Sequence, residues 1–599
     1  MTRSTMSAGT RRSSRSKAGL VPHYLALFWL DTDHGEAAAD RLVAIAARMA
    51  GHLRVAQRRP NLLVLGDIAD PRGLVRVDGQ SIWIGERFEW AQAPAADSAI
   101  GETGSGVWGS YARFERLPDG AIEIARDPGG GQQLFLAQKG HMLAASDAFP
   151  RWLRDLLELN PDCDPDQLAA ALADPLRLTH TSPLRGVDVV PAGCKREWRD
   201  ACLGPAISVW KPYLLRDAPP DPDPAAARAR LREAVTDSCR ALAARHGQLT
   251  IELSGGLDSA IVLGAIASAP NPPELTCIHF HVGHSGGDER DHARAVAERW
   301  GVRLVEVSAT ASEFRFEDAL QAEQPLEPVI YGLDPLLEAA SLGVARATGA
   351  SAIFTGQGGD AVFLNAPSPW IAVDRARCRR RATFVSQVPL ETALRAGTSV
   401  WHVYRLMLAD MVRARADGSM TMPGGHLTQR AMRARLRTGH PWLEHLAGLP
   451  PGRRDQLRAI ANCQHFNGPT PRGAFAPLVH PLLAQPVMET CLTLPTWLLA
   501  HGTINRALAR EAFGDWLPDA LCRRRGKGDA SNYYRRAVAE NAAFLRGYLG
   551  DGTLVGHGLL DGDAIRAALH PDSLIWSENA RMIATYVAFE AWARYWGLG

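Results

Sequence analysis

Seven residues, Leu253-Ser254-Gly255-Gly256-Leu257-Asp258-Ser259, close the apolar stretch that starts at Leu249 and open an apolar run reaching residue 268. A strand that ends in two glycines and turns directly into a helix fits few architectures. It points to a parallel sheet with helices on its faces, where the carboxyl ends of the strands form the ligand-binding edge. Glycines let successive backbone N–H groups curl around a phosphate, Ser254 and Ser259 add hydroxyl donors, and the helix start contributes partial positive charge. The loop has no Walker lysine, so it is not a P-loop. Asp258 would repel a phosphate unless a Mg²⁺ ion bridges them.

The surrounding pattern agrees with a doubly wound sheet. A helix is expected over 225–245, a strand over 249–253, a helix over 258–268, a strand over 275–282, a helix over 289–300, a strand over 302–307, a helix over 334–348 and a strand over 351–355. The last runs into Gly356-Gln357-Gly358-Gly359-Asp360, a second strand–glycine–aspartate turn. Parallel strands align their carboxyl ends, so Asp258 and Asp360, 102 positions apart, are expected to meet at one Mg²⁺ with the phosphates of a nucleotide. Residues 380–599 read as mostly helical. Residues 19–150 carry short apolar stretches such as Tyr24–Leu30, Asn61–Leu65, Ser81–Ile84 and Gln133–Leu136, which predict an antiparallel α+β domain with a helix over 37–50. Five prolines in 212–224 predict an interdomain linker, and the Arg/Ser/Thr-rich residues 1–18 a disordered tail. The fold class expected is thus α/β plus α+β.

Composition narrows the function. Lys and Arg total 66 against 64 Asp and Glu, a balance of +2 that gives no field for nucleic acid or an anionic membrane. No apolar run approaches the ~20 residues of a membrane span. Nine cysteines without a CxxC pair suggest neither a disulfide framework nor a zinc site, and the chain reads as cytoplasmic. Only five of the 66 basic residues are lysine, and Lys527, in Arg523-Arg524-Arg525-Gly526-Lys527-Gly528, is the only one after position 211. A compact ammonium on a flexible stem can follow a phosphate through a reaction where a guanidinium fork cannot.

These residues resemble a known group. The SGGLDS loop is similar to the signature of the N-type ATP pyrophosphatases (adenine nucleotide alpha hydrolase-like), and TGQGGD narrows the resemblance to the class B asparagine synthetase superfamily. The run from Ile504 through Arg506, Arg510, Glu511 and Phe513 to Lys527 looks like that family's "R-E-A-F … L-P … K" region. The resemblance implies ATP contacts at Leu253, Ser254, Gly255, Gly256, Leu257, Asp258, Ser259, Val282, Thr355, Gly356, Gln357, Gly358 and Gly359. It implies metal carboxylates at Asp258 and Asp360, with Lys527 neutralising the phosphates. Arg506, Arg510 and Arg524 are read as either phosphate contacts or surface ion pairs. It also implies a degenerate Ntn-hydrolase-like sandwich over 19–211, with Arg126–Leu134 a degraded "RDxxGxxPL" turn, followed by the synthetase domain over 225–599.

Departures bear on the substrate. Glutamine-using members start Met-Cys; here Thr2 follows Met1 and the first cysteine is Cys163, so a cysteine glutaminase is not expected. Gln357 stands where asparagine synthetases have Glu and β-lactam synthetases Tyr, and an amide is no general base at neutral pH. The chain most resembles the lasso peptide cyclases. That implies adenylation of an Asp or Glu side chain in a ribosomal precursor peptide, then ring closure by the peptide's own N-terminal amine, with ATP and Mg²⁺. A leader peptidase and a leader-binding protein are the implied partners. The alternatives are another amide synthetase acting on a small amino acid, and an inactive homologue that only binds the peptide. Candidates for the base are His279, His281, His284, Glu323 and Glu327. Arg375–Arg381 reads as a solvated helix face, with a contact to an acidic peptide as the alternative, and Tyr586, Phe589, Trp592, Tyr595 and Trp596 as core packing at helical spacing.

Overall fold

The computed structural model describes residues 5–7, 21–90, 106–175, 182–215, 223–282, 288–320, 323–328, 331–412, 425–434, 440–524, 531–576 and 580–598. Its amino-terminal part is built on alternation. In Tyr24–Trp29, the side chains of Tyr24, Ala26 and Phe28 face a second sheet, while Leu25, Leu27 and Trp29 face the helix Thr32–Met49. Both faces are apolar, so the strand is buried throughout and the layers are helix, sheet, sheet. The first sheet pairs Val187–Val189, Phe135–Lys139, Met142–Ser146, Tyr24–Trp29, Leu62–Gly66 and Arg54–Arg59, every neighbour antiparallel. The second, also antiparallel, is built around Ser81–Glu89, Val107–Arg116, Ile122–Arg126 and Cys194–Arg199. The helix begins at Thr32 rather than 37 because the Asp31 carboxylate accepts from the Asp33 N–H and caps it.

The second part holds a parallel sheet in the order Thr5–Ser7, Arg303–Ser308, Glu274–His281, Gln248–Glu252, Ala352–Thr355, Leu478–Val479. The mixed α/β architecture with a parallel sheet expected from the sequence is therefore present. Two members were not foreseen. Thr5–Ser7, inside the segment expected as a tail, pairs with Glu306–Ser308, which otherwise offers an open sheet edge. Leu478–Val479, only two residues long, carries no strand pattern of its own and is held by Ile353 and Phe354. Of the expected linker, Pro212–Leu214 forms a single 3₁₀ turn and Pro224 already begins a helix capped by Asp223; residues 216–222 lie outside the described residues.

The helix Leu257–Ala267 is buried almost all round, sandwiched between the sheet and its neighbours, as an apolar helix must be. At the carboxyl terminus, the helix Ala580–Trp596 buries Tyr586, Phe589, Trp592 and Trp596 against the amino-terminal sandwich, and the Trp592 indole N–H donates to Pro325 O at 2.9 Å. In the arginine-rich helix Trp370–Cys378, Arg377 pairs with Asp410 and Arg375 donates to Ser386. Among the described residues no helix is long and apolar enough to cross a membrane.

Candidate active site

Gln248–Glu252 and Ala352–Thr355 are adjacent strands, with Glu252 in register with Thr355. The two glycine loops therefore leave the sheet side by side. They touch: a side chain at Gly356 would stand 2.5 Å from Ser259 N, and one at Gly359 would stand 2.4 Å from Asp258 Cγ. Only glycine lets the loops approach this closely.

The first loop is stiffened by its own hydroxyls. Ser254 N–H donates to Ser259 Oγ at 3.2 Å, the two Oγ atoms lie 3.1 Å apart, and Gly256 N–H donates to Ser254 Oγ at 3.2 Å. Beneath it, buried His279 donates from Nδ1 to Leu253 O at 2.8 Å. Burial lowers the His279 pKa, which keeps the ring neutral. In the second loop Gln357 N–H donates to Thr355 Oγ1 at 3.1 Å, and Thr355 Oγ1 is 2.7 Å from His480 Nδ1. Burial drives His480 down to about 4, so it too is neutral.

The two aspartates converge. Arg506 Nη1 lies 2.8 Å from Asp258 Oδ2 and 2.7 Å from Asp360 Oδ1. Asp258 and Arg506 are buried, whereas the Asp360 side chain is 44% exposed and opens the cluster to solvent. A single positive nitrogen bridging one oxygen from each carboxylate shows that this pair can hold one cation between them. The hard oxygen donors suit Mg²⁺, and substrate phosphates would complete the shell. Among the described residues no group of three or more His, Cys, Asp or Glu forms a closed metal cage.

Arg510 and Arg524, read from sequence as phosphate contacts or ion pairs, are held by protein. Arg510 Nη1 donates to Leu521 O at 2.8 Å and to Cys522 O at 3.2 Å, and its Nε donates to Asn505 O at 3.1 Å. Arg524 pairs with buried Glu289 at 2.7 Å. Together they tie down Asn505 and the stretch from Leu521 to Arg524. Lys527 itself and His284 lie outside the described residues. Val282 follows directly on Glu274–His281 at the carboxyl edge of the sheet. Among the described contacts, neither Glu323 nor Glu327 touches the Asp258–Asp360 pair: Glu323 lines a large interior cavity, where it accepts from Arg151 N–H at 2.9 Å, and burial raises Glu327 to about 7 beside Arg126. His281 stacks on His279, 6.1 Å between ring centroids. Arg506 was an undecided candidate in the sequence, because its distance from both loops in the chain hides the convergence. His480 gave no signal beyond following a short apolar pair.

A cavity of about 1140 Å³ lies between the sandwich and the synthetase half, lined by Glu86, Asp127 and Gln132 on one side and Phe466, His480 and Leu483 on the other. Among its described lining residues there is no cysteine. Leu483 separates it from the second loop: a side chain at Gly358 would meet Leu483 Cδ2 at 2.4 Å, and one at Gly129 would meet Leu483 O at 3.2 Å.

The asparagine synthase family model matches residues 228–594, which takes in both loops and the segment from Arg506 to Lys527. The chain belongs to the asparagine synthase family. It is accordingly an ATP-dependent ligase that forms an amide bond and releases AMP. No curated protein matches the chain. Among solved structures, it is similar to the U34-tRNA thiolase NcsA from Methanococcus maripaludis with its [4Fe-4S] cluster, at 13% identity, TM-score 0.19, over 41% of this chain and 80% of that one. It is also similar to the allosteric regulatory enzyme of purine biosynthesis, at 9% identity, TM-score 0.17, over 48% and 74% respectively.

Proposed function

We propose that the chain is a lasso peptide cyclase, which adenylates an Asp or Glu side chain of a ribosomal precursor peptide and closes a macrolactam with that peptide's N-terminal amine. The observation that carries this reading is the meeting of Asp258 and Asp360 on one cation, at 2.8 and 2.7 Å, at the carboxyl edge of a parallel sheet. The absence of a cysteine among the described lining residues of the cavity favours an amine brought by the substrate over ammonia freed by a thiol.

ATP is a substrate in this scheme. The first loop, Leu253 to Ser259, offers backbone N–H groups and the start of the helix Leu257–Ala267 to the phosphates; Leu253 and Val282 frame the base. Thr355, Gly356, Gln357, Gly358 and Gly359 close the opposite wall. Asp258 and Asp360 would hold Mg²⁺, which when bound neutralises phosphate charge. The peptide carboxylate attacks the α-phosphorus, an acyl–AMP anhydride forms, and the bond to pyrophosphate breaks. Lys527, by the family resemblance, would neutralise the charge that gathers on the leaving oxygens. The N-terminal amine then attacks the acyl carbon, AMP departs with the carboxyl oxygen, and the nitrogen gives up one proton. Holding amine and anhydride in contact is worth about 7–11 kcal/mol, so ordering the peptide is the enzyme's main task in this step. A leader peptidase that frees the amine and a leader-binding protein that delivers the precursor are the expected partners.

Incubation of the full-length protein with ATP, Mg²⁺ and leader-free peptides that carry one Asp or Glu tests the reading. The expected outcome is pyrophosphate release only with peptide, together with a product lighter by one water and resistant to Edman degradation. Release that requires free aspartate and ammonia would replace this reading with a small-molecule synthetase. Lys527→Arg is expected to lose most turnover while keeping the wild-type circular dichroism spectrum.

A further inference from the structure

The contact between Arg506 and the two aspartates raises a competition. The two oxygens that hold the guanidinium, Asp258 Oδ2 and Asp360 Oδ1, are the ones a divalent cation at this place would use. Both contacts fall on one nitrogen, Nη1, so the guanidinium sits as a point charge between the carboxylates rather than as a fork on one of them. Its side chain is 4% exposed. Its backbone is left-handed, φ 53° and ψ 36°, a region that few non-glycine residues enter and that tends to persist where surrounding contacts enforce it. The helix Ala507–Ala512 starts immediately after it, and Arg510 anchors Asn505 immediately before it. The arginine is thus aimed at the carboxylates by both of its neighbours.

We propose that Arg506 is the internal counter-ion of this site. It holds Asp258 and Asp360 together before nucleotide arrives, disfavours metal binding on its own, and exchanges the carboxylates for polyphosphate when ATP enters. This rests on the reading of the two loops as a nucleotide site. The charge argument is direct. Removal of the guanidinium takes one positive charge away from the two carboxylates, which then attract a bare dication more strongly. A polyphosphate offers the guanidinium a more highly charged partner and leaves both aspartates to the metal. Metal and nucleotide then assist each other through one side chain, and the coupling is reciprocal. Arg506 is a positioning residue in this account: it acts on metal binding through the aspartates.

The test uses the full chain and two probes, Mn²⁺ alone followed by electron paramagnetic resonance, and the α,β-methylene analogue of ATP in excess EDTA followed by calorimetry. In Arg506→Gln, Mn²⁺ alone is expected to bind at least fivefold tighter and the metal-free analogue at least fivefold weaker. Arg506→Lys should return both within about twofold of wild type, since the charge is kept. Asp360→Asn removes one of the guanidinium's partners and is expected to tighten metal-free analogue binding severalfold, a readout independent of whether Arg506→Gln folds. A purely structural arginine would weaken both probes together in Arg506→Gln, and that result, or unchanged Mn²⁺ affinity, overturns the proposal. Wild-type protein that binds neither probe, nor the two combined, would overturn the nucleotide-site reading itself.

Discussion

Two turns of this molecule are written in nearly the same letters and do opposite things. In Arg126-Asp127-Pro128-Gly129-Gly130 the aspartate is fully buried, and its oxygens accept from the N–H groups of Tyr111 at 3.1 Å, Gly131 at 3.2 Å and Gln132 at 3.3 Å. In Gly358-Gly359-Asp360 the carboxylate is partly exposed and points at a cation. The first ties a loop to the neighbouring strand; the second is left for chemistry. What separates them is the destination of the nearby backbone donors. Where the chain folds its N–H groups back onto the acid, the acid is a staple. Where the same glycines pack against another loop, the acid faces outward. Aspartate beside glycine therefore says little about role until the strand order is known.

Replacing each acid in turn is the strongest way to break this contrast. Asp360→Asn is expected to lower amide-forming turnover by about a thousandfold, the scale lost with one essential electrostatic group at a reacting centre. The thermal midpoint should stay within a few degrees of wild type. Asp127→Ala is expected to do the reverse. Three N–H groups lose their acceptor, two of them, on Tyr111 and Gln132, in buried bonds, which costs about 3 kcal/mol of stability in urea denaturation. Nucleotide binding should persist. Loss of turnover in Asp127→Ala without loss of stability would make the two turns functionally alike and end the comparison.

A smaller effect tests how closely the loops must approach. Gly359→Ala places a methyl carbon against Asp258 Cγ, where the available separation is 2.4 Å. The loops must part, which costs about 2 kcal/mol, the middle of the overpacking range, and should appear as a rise of roughly thirtyfold in the KM for ATP. Gly140→Ala is the control: nothing lies within 4 Å of the added carbon, although its φ of +54° leaves a modest backbone strain. Equal effects from the two substitutions would show that contact between the loops does not set the constraint.

Much of the synthetase half was legible in the sequence because its signals are local. Leu253–Ser259 and Thr355–Asp360 each contain a strand end, glycines and a carboxylate within a few residues, and strand–helix alternation alone places both on one edge. What the sequence hid is non-local. Arg506 reaches the aspartates from 146 and 248 positions away, and nothing near it announces the destination. Leu478–Val479 is too short for a period to be read, and it becomes a strand only because Ile353 and Phe354 supply its partner. The cavity between the halves is equally invisible to a linear reading, since Glu86 and Leu483 meet it from opposite ends of the chain. In the sandwich, alternation in Tyr24–Trp29 is masked because both faces are covered, so the segment reads as a plain apolar run.

The gentlest test of the contrast concerns a third acid, one that is neither staple nor reaction group. Glu86 lines the interdomain cavity, 9% exposed, with Arg245 the nearest charge at 3.9 Å. Burial raises its pKa to about 7, and Arg245 offsets only part of that rise. A carboxyl group with a folded pKa above its unfolded value binds more protons in the folded state between the two. Its contribution to stability is therefore fully present below about pH 4 and is lost as pH rises through 7. Glu86→Gln removes this dependence. Relative to wild type the variant is expected to gain about 1 kcal/mol between pH 6 and pH 7, read as a changed difference in urea midpoints. A cation lodged in the cavity and balancing Glu86 would erase the gain, because the carboxylate would then be stabilised in its charged form. Parallel pH profiles for variant and wild type would mean that Glu86 is paired in solution, and would move the cavity from a passive gap between the halves to an occupied site.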